Sequence, residues 1–477
     1  MVRVGTPGRL IAPSFLGMSV EWDTLAAWLG QDPVGADQAV GRMWSLLATD
    51  GAPVLRIGGN SADRTWIGPG PPPPQGIQHV LTPGTLAAFG AVLRAHPARV
   101  VLGLDLAHRR FAADARVLAL ARRMLPARDL RGAEIGNEPD LYPTQPWGRA
   151  PSGAPLPARD PQYGVRAFLR DYRAALRALH RPLRGLALAG PGLGGPHWAH
   201  RTAEILRGAP QIDVVAAHEY ALSRCAHRAR PTLARLLAPK AARRFVDGIR
   251  AEQRAARARG LPLRLQEGGS VACRGAPGVS DAPASALWAL RLFFTLAGHG
   301  VSGIDLHNAQ GAYDQLVVRR VGEGWAVHAQ PTFVAMLAFA HTLHGRTRLL
   351  HTSRVKGVGT WATRDATGTT HVVLVNDAPV ARDVLVATGG RPAAALLRLV
   401  PGRRTAFGGR AFPAWSTDGR LPSARPLRLV ARRGRVAVRL RPRSAAVVDL
   451  AAGRALARAQ KSRRPARCSA ACGRDSS

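Results

Sequence analysis

The chain has 477 residues, which is too long for one ordinary domain and suits a larger domain of roughly 250–350 residues with a smaller module beside it. No segment approaches the roughly 18 uninterrupted apolar residues that a membrane span requires, so no such span is expected. The net charge of +37 comes almost entirely from arginine. This bias is typical of a GC-rich genome, and it also favours encounters with polyanions, because a positive field attracts them.

The first two predicted strands are each followed by polar side chains. Residues 15–21 predict a strand that ends at Glu21, and residues 53–57 predict a second strand, which Asn60 and Asp63 follow. Short polar side chains suit hydrogen bonds to the hydroxyl groups of a ligand, although either residue could instead stabilise a turn.

A glutamate stands at the predicted end of the fourth strand. The strand-like run reaches Ile135, and Gly136 allows the chain to turn. Asn137 and Glu138 follow, and Pro139 prevents further pairing in the sheet. In barrels of alternating strands and helices, the chemistry is carried by residues at the carboxyl ends of the strands. A catalytic carboxylate here needs a second one at another strand end.

The chain supplies that second carboxylate at Glu267. Residues 261–269 predict a short strand that reaches Glu267 and then breaks on Gly268 and Gly269. A lone glutamate is more often a solvent-exposed loop residue. Two glutamates that face each other across a barrel mouth are instead suited to glycoside hydrolysis, in which one protonates the leaving oxygen and the other attacks or activates water.

Four further strands complete a set of eight. The sixth ends near His218 and Tyr220, and the eighth ends near His307, although a lone histidine is as often a structural residue. Helix-length segments between the strands predict outer barrel helices and not a nucleic-acid element. The fold class is therefore predicted as a (β/α)8 TIM barrel over residues 13–344. The remaining strands are predicted at residues 99–105, 183–189, 212–220 and 301–308, and helices at residues 35–49, 165–180 and 283–297.

Two connecting segments are unusual. Residues 68–74 are almost all Gly and Pro, so they predict an extended loop. Residues 142–163 are rich in Pro and too long for a tight connection. Loops of that length on the catalytic face of a barrel are usually functional, so this segment is expected to form a wall of the cleft.

The pattern changes beyond about residue 345. Short runs rich in Val and Leu, separated by turn residues, predict a C-terminal all-β, sandwich-like accessory domain over residues 345–452. Residues 1–12 show little pattern and are expected to lead a strand into this domain. Residues 453–477 are basic and polar without periodicity, so they predict a disordered tail.

The four cysteines bear on the cellular compartment. Cys225 and Cys273 follow the sixth and seventh predicted strands. Because the loops after adjacent strands can meet, these two residues are the candidate disulfide. Such a bond indicates an extracellular or cell-surface protein. No signal peptide is visible, which leaves either a mis-assigned or trimmed start or a cytoplasmic protein with free thiols. Cys468 and Cys472 lie in the basic tail without nearby histidines, so they predict no zinc site.

Three segments in order along the chain carry a family resemblance: residues 55–63 (LRIGGNSAD), 134–140 (EIGNEPD) and 278–281 (GVSD). They resemble glycoside hydrolase family 79, the β-glucuronidase and heparanase family within the clan of retaining (β/α)8-barrel glycosidases. The similarity extends from about residue 15 into the C-terminal β region.

The resemblance implies roles for individual residues. Glu138 is the expected general acid/base and Glu267 the expected nucleophile of a two-step mechanism. Asn137 is expected to donate to the sugar 2-hydroxyl, and Tyr220 to hydrogen-bond the nucleophile. Other candidate substrate contacts are Glu21, Asn60, Asp63, His218 and His307.

The chain departs from the family pattern beside the predicted nucleophile. The family commonly continues as Glu-x-Asn-Ser, whereas residues 267–270 read EGGS, and Arg274 stands where a small residue is expected. The family recognises the uronate carboxylate in this loop. Arg274 could therefore pair with a carboxylate, or it could fill the pocket.

The sequence as a whole favours an exo-acting retaining β-glycosidase, specifically a β-glucuronidase that releases glucuronic acid from glucuronides or acidic glycans. The alternatives are a barrel β-glycosidase acting on a neutral sugar and a non-catalytic polyanion-binding protein. A carbohydrate is the expected partner, and no metal, organic cofactor or specific nucleic acid is expected. The oligomeric state stays open.

Overall fold

The computed structural model describes residues 1–29, 36–67, 77–150, 152–225 and 230–451. Two sequence predictions lie outside the described residues. They are the Gly- and Pro-rich loop at residues 68–74 and the basic tail at residues 453–477, which contains Cys468 and Cys472.

Eight parallel strands form a closed barrel. We label them in chain order β1 (Leu16–Glu21), β2 (Val54–Gly58), β3 (Arg99–Leu104), β4 (Leu130–Ile135), β5 (Ala187–Leu193), β6 (Val214–Ser223), β7 (Leu263–Ala272) and β8 (Ile304–Asn308). Because all the strands run in the same direction, their carboxyl ends meet at one face, where β1 ends with Glu21 beside Gly58 of β2. The predicted fold class is confirmed.

The barrel strands are buried on both faces, which explains their nearly continuous apolar sequence. Every residue of β1, β2 and β8 is buried. The charged side chains among them are paired, as burial requires. For example, Arg264 of β7 donates to both carboxylate oxygens of Asp305 of β8, at 2.9 and 2.6 Å.

Helices surround the barrel and bury one face against it. In the helix Val165–Leu179, the buried side chains Val165, Phe168, Tyr172 and Ala175 repeat at helical spacing. No helix in the described part of the chain is both long and apolar enough to cross a membrane. The other helices are Trp22–Leu29, Ala36–Ser45, Pro83–Ala95, Phe111–Met124, Pro196–Ala199, Thr202–Gly208, Leu233–Leu237, Pro239–Gly248, Arg250–Ala258, Ser285–His299 and Pro331–Ala340, with 3-10 turns at Gly59–Arg64 and Pro139–Leu141.

An antiparallel sheet domain follows the barrel. Its edge strand comes from the other end of the chain, because Val4–Leu10 pairs with Arg348–Thr352. The order across the main sheet continues with Gly359–Arg364, Thr370–Asn376, Ser444–Leu450, Ala393–Val400 and Ala406–Phe407, and Leu427–Val430 also pairs with Ala393–Val400.

A two-stranded sheet, Arg382–Ala387 with Arg435–Leu440, packs against this main sheet. Apolar side chains from both sheets form a shared core, among them Val372 and Leu374 from one sheet and Val384 and Val438 from the other. Short hairpins elsewhere are Leu316–Val321 with Gly324–Ala329 and Pro146–Arg149 with Pro155–Pro157. The two-residue strands Thr65–Trp66 and His79–Val80 pair in parallel.

The fifth strand differs from its prediction. It was expected at residues 183–189 and lies at Ala187–Leu193. Leu183 belongs to the turn that ends the preceding helix, since its N–H donates to Leu179 O at 2.9 Å. Gly-Pro-Gly at residues 190–192 is typical of a segment that follows a strand, but Pro191 lies within β5, opposite Ala216 of β6.

Candidate active site

The two predicted catalytic glutamates meet at the carboxyl ends of the barrel strands. A carboxylate oxygen of Glu138, a ring nitrogen of His218 and a carboxylate oxygen of Glu267 all lie within 4.8 Å of one another. Both glutamates line a cavity of about 290 Å³. The structure therefore brings together two residues that are far apart in the chain.

Glu267 lines this cavity in a strongly polar environment. Its Oε2 accepts a hydrogen bond from Arg56 at 3.0 Å, and its Oε1 accepts one from the Tyr220 hydroxyl at 2.8 Å. Burial by itself would raise the pKa of Glu267, but the nearby His307, His218 and Arg56 charges and the Tyr220 hydrogen bond outweigh it and hold the pKa at about 2. Glu267 is therefore ionised at neutral pH.

Arg56 hydrogen-bonds to four residues of the site. It has no role in the sequence analysis. Its fully buried guanidinium donates to Glu134 at 2.7 Å, to Ser19 at 3.1 Å and to Asn137 at 2.8 Å, in addition to Glu267. A signal was present in the sequence, because an arginine inside an apolar strand must have a buried carboxylate partner. Which carboxylate it meets depends on the closure of the barrel.

Glu138 is held in an unusual backbone conformation just beyond β4. Its φ of 50° and ψ of 52° lie in the left-handed region, and its N–H donates to Gly192 O at 2.9 Å. Its Oε1 lies 3.1 Å from Nδ1 of His218. Gly194 makes room for this side chain, because a Cβ at that position would lie 2.5 Å from the Glu138 carboxyl carbon.

His218 lies between the two glutamates and is buried. Burial tends to lower its pKa, but the charge of Glu267 and the hydrogen bond to Glu138 outweigh it, so the pKa is raised. Its Nδ1 is 3.9 Å from Oε2 of Glu267. Its other ring nitrogen has no hydrogen-bond partner among the described residues and lies 4.0 Å from Oε1 of Glu134.

Two asparagines form a short hydrogen-bonded chain beside Glu138. The Asn137 side-chain oxygen accepts from Arg56, and its NH2 group donates to the side-chain oxygen of Asn60 at 3.0 Å. These contacts set the orientation of the Asn137 amide. Asn60 is exposed and lines the cavity.

Glu21 and His307 lie together in the cavity lining. The Glu21 carboxylate accepts from the N–H groups of Asn60 at 3.1 Å and Ser61 at 2.7 Å, and its Oε1 lies 3.4 Å from Nε2 of His307. Burial lowers the pKa of His307, but the charges of Glu267 and Glu21 and a hydrogen bond to Glu21 raise it further than burial lowers it. Both side chains reach the cavity.

Asp63 does not face the cavity, which corrects the expectation that it contacts a ligand. It is fully buried, and its Oδ1 accepts from the N–H groups of Leu106 and Ala107 at 2.8 and 2.9 Å. Its Oδ2 accepts from the Tyr142 hydroxyl at 2.9 Å. Burial and the neighbouring Asp105 raise its pKa. Asp63 holds loops together beneath the site.

The predicted disulfide is confirmed. Cys225 and Cys273 are bonded, with their Cα atoms 5.4 Å apart, and both line the cavity. Three successive residues there have left-handed backbone conformations: Cys273, Arg274 and Gly275, with φ values of 64°, 69° and 71°. The loop after β7 thus turns sharply at the cavity rim.

Aromatic side chains complete the cavity. Tyr313, which the sequence analysis missed, lines it 5.5 Å from the His307 ring, measured between ring centroids. The proline-rich segment at residues 142–163 contributes Trp147, as expected for a wall of the cleft. The Arg64 guanidinium lies 5.3 Å from the centre of the Trp147 ring.

Some groups of side chains have the composition of metal sites. His371, for example, lies 3.1 Å from Asp365 and 2.7 Å from Asp449. The histidines and carboxylates of each group contact one another with the distances of ion pairs. Among the described residues the groups are Glu138, His218 and Glu267; His341, His371 and Asp449; and His344, Asp365 and His371.

No protein-family model and no curated protein sequence matches the chain significantly. Solved structures do match. A 4-O-α-L-rhamnosyl-β-D-glucuronidase from Fusarium oxysporum is similar with a TM-score of 0.73 and 16% identity, over 94% of this chain and 99% of that chain.

Two other similar structures belong to different glycosidase families. A family 51 α-L-arabinofuranosidase from Bifidobacterium longum has a TM-score of 0.64 and 17% identity, over 93% of this chain and 97% of that one. The catalytic domain of a family 30 xylanase from Talaromyces cellulolyticus has a TM-score of 0.55 and 12% identity, over 94% of this chain and 99% of that chain. These likenesses establish a common architecture of barrel and β domain.

Proposed function

We propose that the chain is a retaining β-glycosidase in which Glu138 is the general acid/base and Glu267 the nucleophile. The observation that carries this proposal is the approach of the two carboxylates, which have oxygens within 4.8 Å of each other. Retaining enzymes hold their carboxyl groups about 5–5.5 Å apart, whereas inverting enzymes need roughly 6.5–9.5 Å to admit a water molecule.

The different surroundings of the two glutamates support these roles. Glu267 is held ionised by the charges of His307, His218 and Arg56 and by the hydrogen bond from Tyr220, as a nucleophile must be. Glu138 is the more accessible, with 14% of its side chain exposed against 8% for Glu267. It can therefore exchange protons with the leaving group and with incoming water.

The reaction follows in two steps. In the first, the Glu138 carboxylic acid gives its proton to the glycosidic oxygen as Glu267 attacks the anomeric carbon, so the bond to the leaving group breaks and a glycosyl ester forms. In the second, Glu138 takes a proton from water, which displaces Glu267 from the sugar. Asn137 is positioned to donate to the 2-hydroxyl, a contact that strengthens in the transition state.

We further propose that the sugar is a glucuronide and that the enzyme belongs to family 79. Three segments of the sequence resemble that family, and one similar structure is a glucuronidase. Two arginines, Arg64 and Arg274, line the cavity and can attract a carboxylate. The disulfide between Cys225 and Cys273 favours an oxidising, extracellular location.

A panel of chromogenic glycosides tests the proposal. We expect hydrolysis of 4-nitrophenyl β-D-glucuronide, with the β-anomer of glucuronic acid formed first in NMR spectra, and no hydrolysis by Glu267→Gln. First appearance of the α-anomer would contradict retention. Absence of activity with every glycoside, together with salt-sensitive binding to heparin, would favour the polyanion-binding alternative.

One observation favours a neutral sugar as the second candidate. Four carboxylates, Glu21, Asp23, Glu138 and Glu267, line the cavity and would repel a uronate placed near them. The matched 4-nitrophenyl β-D-glucoside separates the two substrates, because it differs only in replacing the C5 carboxylate with a hydroxymethyl group.

A further inference from the structure

We propose that Asp140 is a positioning residue for Glu138, because it fastens the end of β5, residues 192–194, against the Glu138 carboxyl group. This inference rests on the proposed glycosidase function and extends it to a side chain for which the two-step reaction has no role. Asp140 is the last residue of the segment 134–140 (EIGNEPD). Residues 192–194 are called the β5 end below.

The first support is a hydrogen bond between two strand ends. Asp140 lies in the 3-10 turn Pro139–Leu141, which follows β4 and Glu138, and it is 6% exposed. Its Oδ1 accepts a hydrogen bond from the N–H of Gly194 at 2.9 Å. Because β4 and β5 are neighbours in the barrel, this bond joins the turn that carries Asp140 to the β5 end.

The second support is the contact that Gly194 makes with the side chain of Glu138. A Cβ at residue 194 would lie 2.5 Å from the carboxyl carbon of Glu138 and 2.8 Å from its Cγ. The Gly194 backbone therefore lies directly against this side chain. Because protein interiors are close-packed, a backbone in this place limits the rotamers that the Glu138 carboxyl group can adopt.

The backbone of Glu138 depends on the same segment. Its N–H donates to Gly192 O at 2.9 Å, and its left-handed conformation, with φ of 50° and ψ of 52°, needs support from its surroundings to persist. The β5 end thus contacts Glu138 twice, through the backbone at Gly192 and through the side chain at Gly194. Asp140 fastens that segment, so its loss should loosen both contacts.

The hydrogen bond from Gly194 does not require a charge on Asp140. Burial raises the pKa of Asp140 to about 7, and the charge of Glu138 adds to the rise. Its Oδ2 is buried and has no hydrogen-bond partner in the described part of the chain. A proton on Oδ2 leaves Oδ1 as the acceptor, so the bond from Gly194 forms in both protonation states. Asparagine presents an acceptor of the same shape and should replace Asp140 in this role.

The kinetic test compares 4-nitrophenyl β-D-glucuronide with methyl β-D-glucuronide, or the matching glucosides if the panel identifies a neutral sugar. Asp140→Ala should lower kcat/KM on the methyl glycoside by roughly 10- to 100-fold, the order expected when a proton donor is displaced by about 1 Å. The nitrophenyl glycoside should lose much less, since its leaving group departs with little protonation. Asp140→Asn should recover most of the wild-type ratio of the two kcat/KM values.

Two kinetic outcomes would overturn the inference. Equal losses on both glycosides in Asp140→Ala would show that Asp140 does not act through the acid. An Asp140→Asn protein that behaves like Asp140→Ala would show that the hydrogen bond from Gly194 is not what carries the effect. Thermal unfolding verifies that each variant is folded, and Asp140→Leu, which has the same branching without an acceptor, takes the place of Asp140→Ala if that variant does not fold.

Asp213→Ala is the matched control. The Oδ2 of Asp213 accepts from the N–H of Leu188 at 2.8 Å, near the start of β5, and Asp213 does not line the cavity that contains Glu138. The variant therefore removes the same kind of hydrogen bond from the opposite end of the same strand. It should leave the ratio of the two kcat/KM values unchanged. A change equal to that of Asp140→Ala would show a general loosening of β5 and would overturn the specific role of Asp140.

Hydrogen–deuterium exchange tests the hydrogen bond itself without any substrate. Peptides that contain Gly194 should exchange faster in Asp140→Ala than in the wild type, because the Gly194 N–H loses its acceptor. In Asp140→Asn the exchange should stay close to that of the wild type. Unchanged exchange in Asp140→Ala would overturn the proposed link between the turn and the β5 end.

NMR of the His218 ring separates failure of this inference from failure of the proposed function. Nδ1 of His218 lies 3.1 Å from Oε1 of Glu138, so its 15N signal reports the position of that carboxyl group even if no glycoside is hydrolysed. The signal is identified by its absence in His218→Gln. It should move in Asp140→Ala and stay in place in Asp140→Asn.

The two possible failures then give different results. If every glycoside is inert but the His218 signal moves as expected, the glycosidase proposal fails and the positioning of Glu138 by Asp140 stands. If glycosides are hydrolysed but the signal does not move in Asp140→Ala, the glycosidase proposal stands and the role of Asp140 is overturned.

Discussion

The guanidinium of Arg56 donates a 3.0 Å hydrogen bond to the carboxylate of Glu267, although the two residues are 211 positions apart in the chain. Arg56 is fully buried and Glu267 is 6% exposed. This ion pair joins β2 to β7 and contributes to holding Glu267 ionised. It therefore links the stability of the barrel to the chemistry proposed at its mouth.

Arg56→Met should destabilise the protein and weaken Glu267 as the proposed nucleophile. Removing one partner of a buried ion pair leaves uncompensated charge, at a cost of about 3–5 kcal/mol in the free energy of unfolding. The pKa of Glu267 should rise from about 2, because a cation that favours its ionised form is lost. The acidic limb of the pH–rate profile should then move to higher pH.

Arg264→Met is the matched control for that experiment. Arg264 is also buried and contacts Asp305 at 2.6 Å, but it does not line the cavity. Urea denaturation should show a similar destabilisation, whereas the acidic limb should stay in place. A shift of the limb in both variants would argue that loss of packing, rather than the Arg56 charge, is responsible.

Tyr220→Phe should slow the reaction while leaving the fold intact. The variant removes the 2.8 Å hydrogen bond to Oε1 of Glu267, and a hydrogen bond to a charged group contributes about 1.5–3 kcal/mol. We expect kcat/KM to fall by roughly 10- to 100-fold. Since this bond lowers the pKa of Glu267, the acidic limb should again move upward.

Tyr172→Phe provides the control for Tyr220→Phe. The buried Tyr172 hydroxyl has no hydrogen-bond partner within the described ranges, and the side chain lies outside the cavity lining. The pH–rate profile of this variant should match that of the wild type. A Tyr220→Phe protein with an unchanged profile would exclude the proposed contact to the nucleophile.

Gly269→Ala should displace the Tyr220 ring by steric overlap. A Cβ at residue 269 would lie 2.8 Å from Cε1 of Tyr220, so the ring must move away from its position beside Glu267. Overpacking of this kind costs about 1–3 kcal/mol in stability, and activity should fall as in Tyr220→Phe. Gly298→Ala is the control, because a Cβ at that helical position meets nothing within 4 Å. That change should be neutral or stabilising.

Removal of Glu138 should be selective for the leaving group. A nitrophenol departs with little protonation, so Glu138→Ala should still form the glycosyl-enzyme from an aryl glycoside but not from an alkyl glycoside or a sugar glycoside. The intermediate should accumulate, since Glu138 is also the proposed base that activates the incoming water. Pre-steady-state kinetics would show a burst of nitrophenol. Equal, undiminished rates on good and poor leaving groups would contradict the assignment of Glu138.

Azide should distinguish the two glutamates by the product that it forms. Azide needs no general base, so it should rescue Glu138→Ala and give a β-glycosyl azide after two inversions. Glu267→Ala cannot form the glycosyl-enzyme, and any rescue should give the α-azide after one inversion. NMR spectra of the products identify the anomer. An α-azide from Glu138→Ala would reverse the assignment of the two roles.

His371 should make the stability of the β domain depend on pH. Burial tends to lower its pKa, but hydrogen bonds and charges from Asp365 and Asp449 outweigh burial and raise the pKa to about 9. The stabilisation is therefore complete below about pH 6.5, the ordinary value, and is lost as the pH rises through about 9. In His371→Asn, the free energy of unfolding should depend less on pH across this interval.

Urea denaturation at pH 6 and pH 9.5 measures this effect. His351→Gln is the control, because it replaces an exposed histidine on the strand Arg348–Thr352 of the same sheet. It should keep the wild-type dependence on pH. If His371→Asn keeps that dependence as well, His371 is not the group that titrates.

The sequence by itself was sufficient to predict the barrel, the β domain and the meeting of Glu138 with Glu267. The reason is that these features follow from local patterns. A buried parallel strand is a short apolar run, and the residue that follows it lies at the same face of the barrel as those that follow the other strands. The same rule brought Cys225 and Cys273 together from adjacent strands.

The tertiary structure alone decided the environment of each side chain. Arg56 meets Glu134 and Glu267 from 78 and 211 positions away, and a local pattern does not indicate which buried partner closes such a pair. Asp63 has a short polar side chain of the kind that contacts ligands, yet it is buried. Its carboxylate accepts hydrogen bonds from the Leu106 N–H and the Tyr142 hydroxyl. Closure of the barrel sets these distances, and the distances set the charge states on which the chemistry depends.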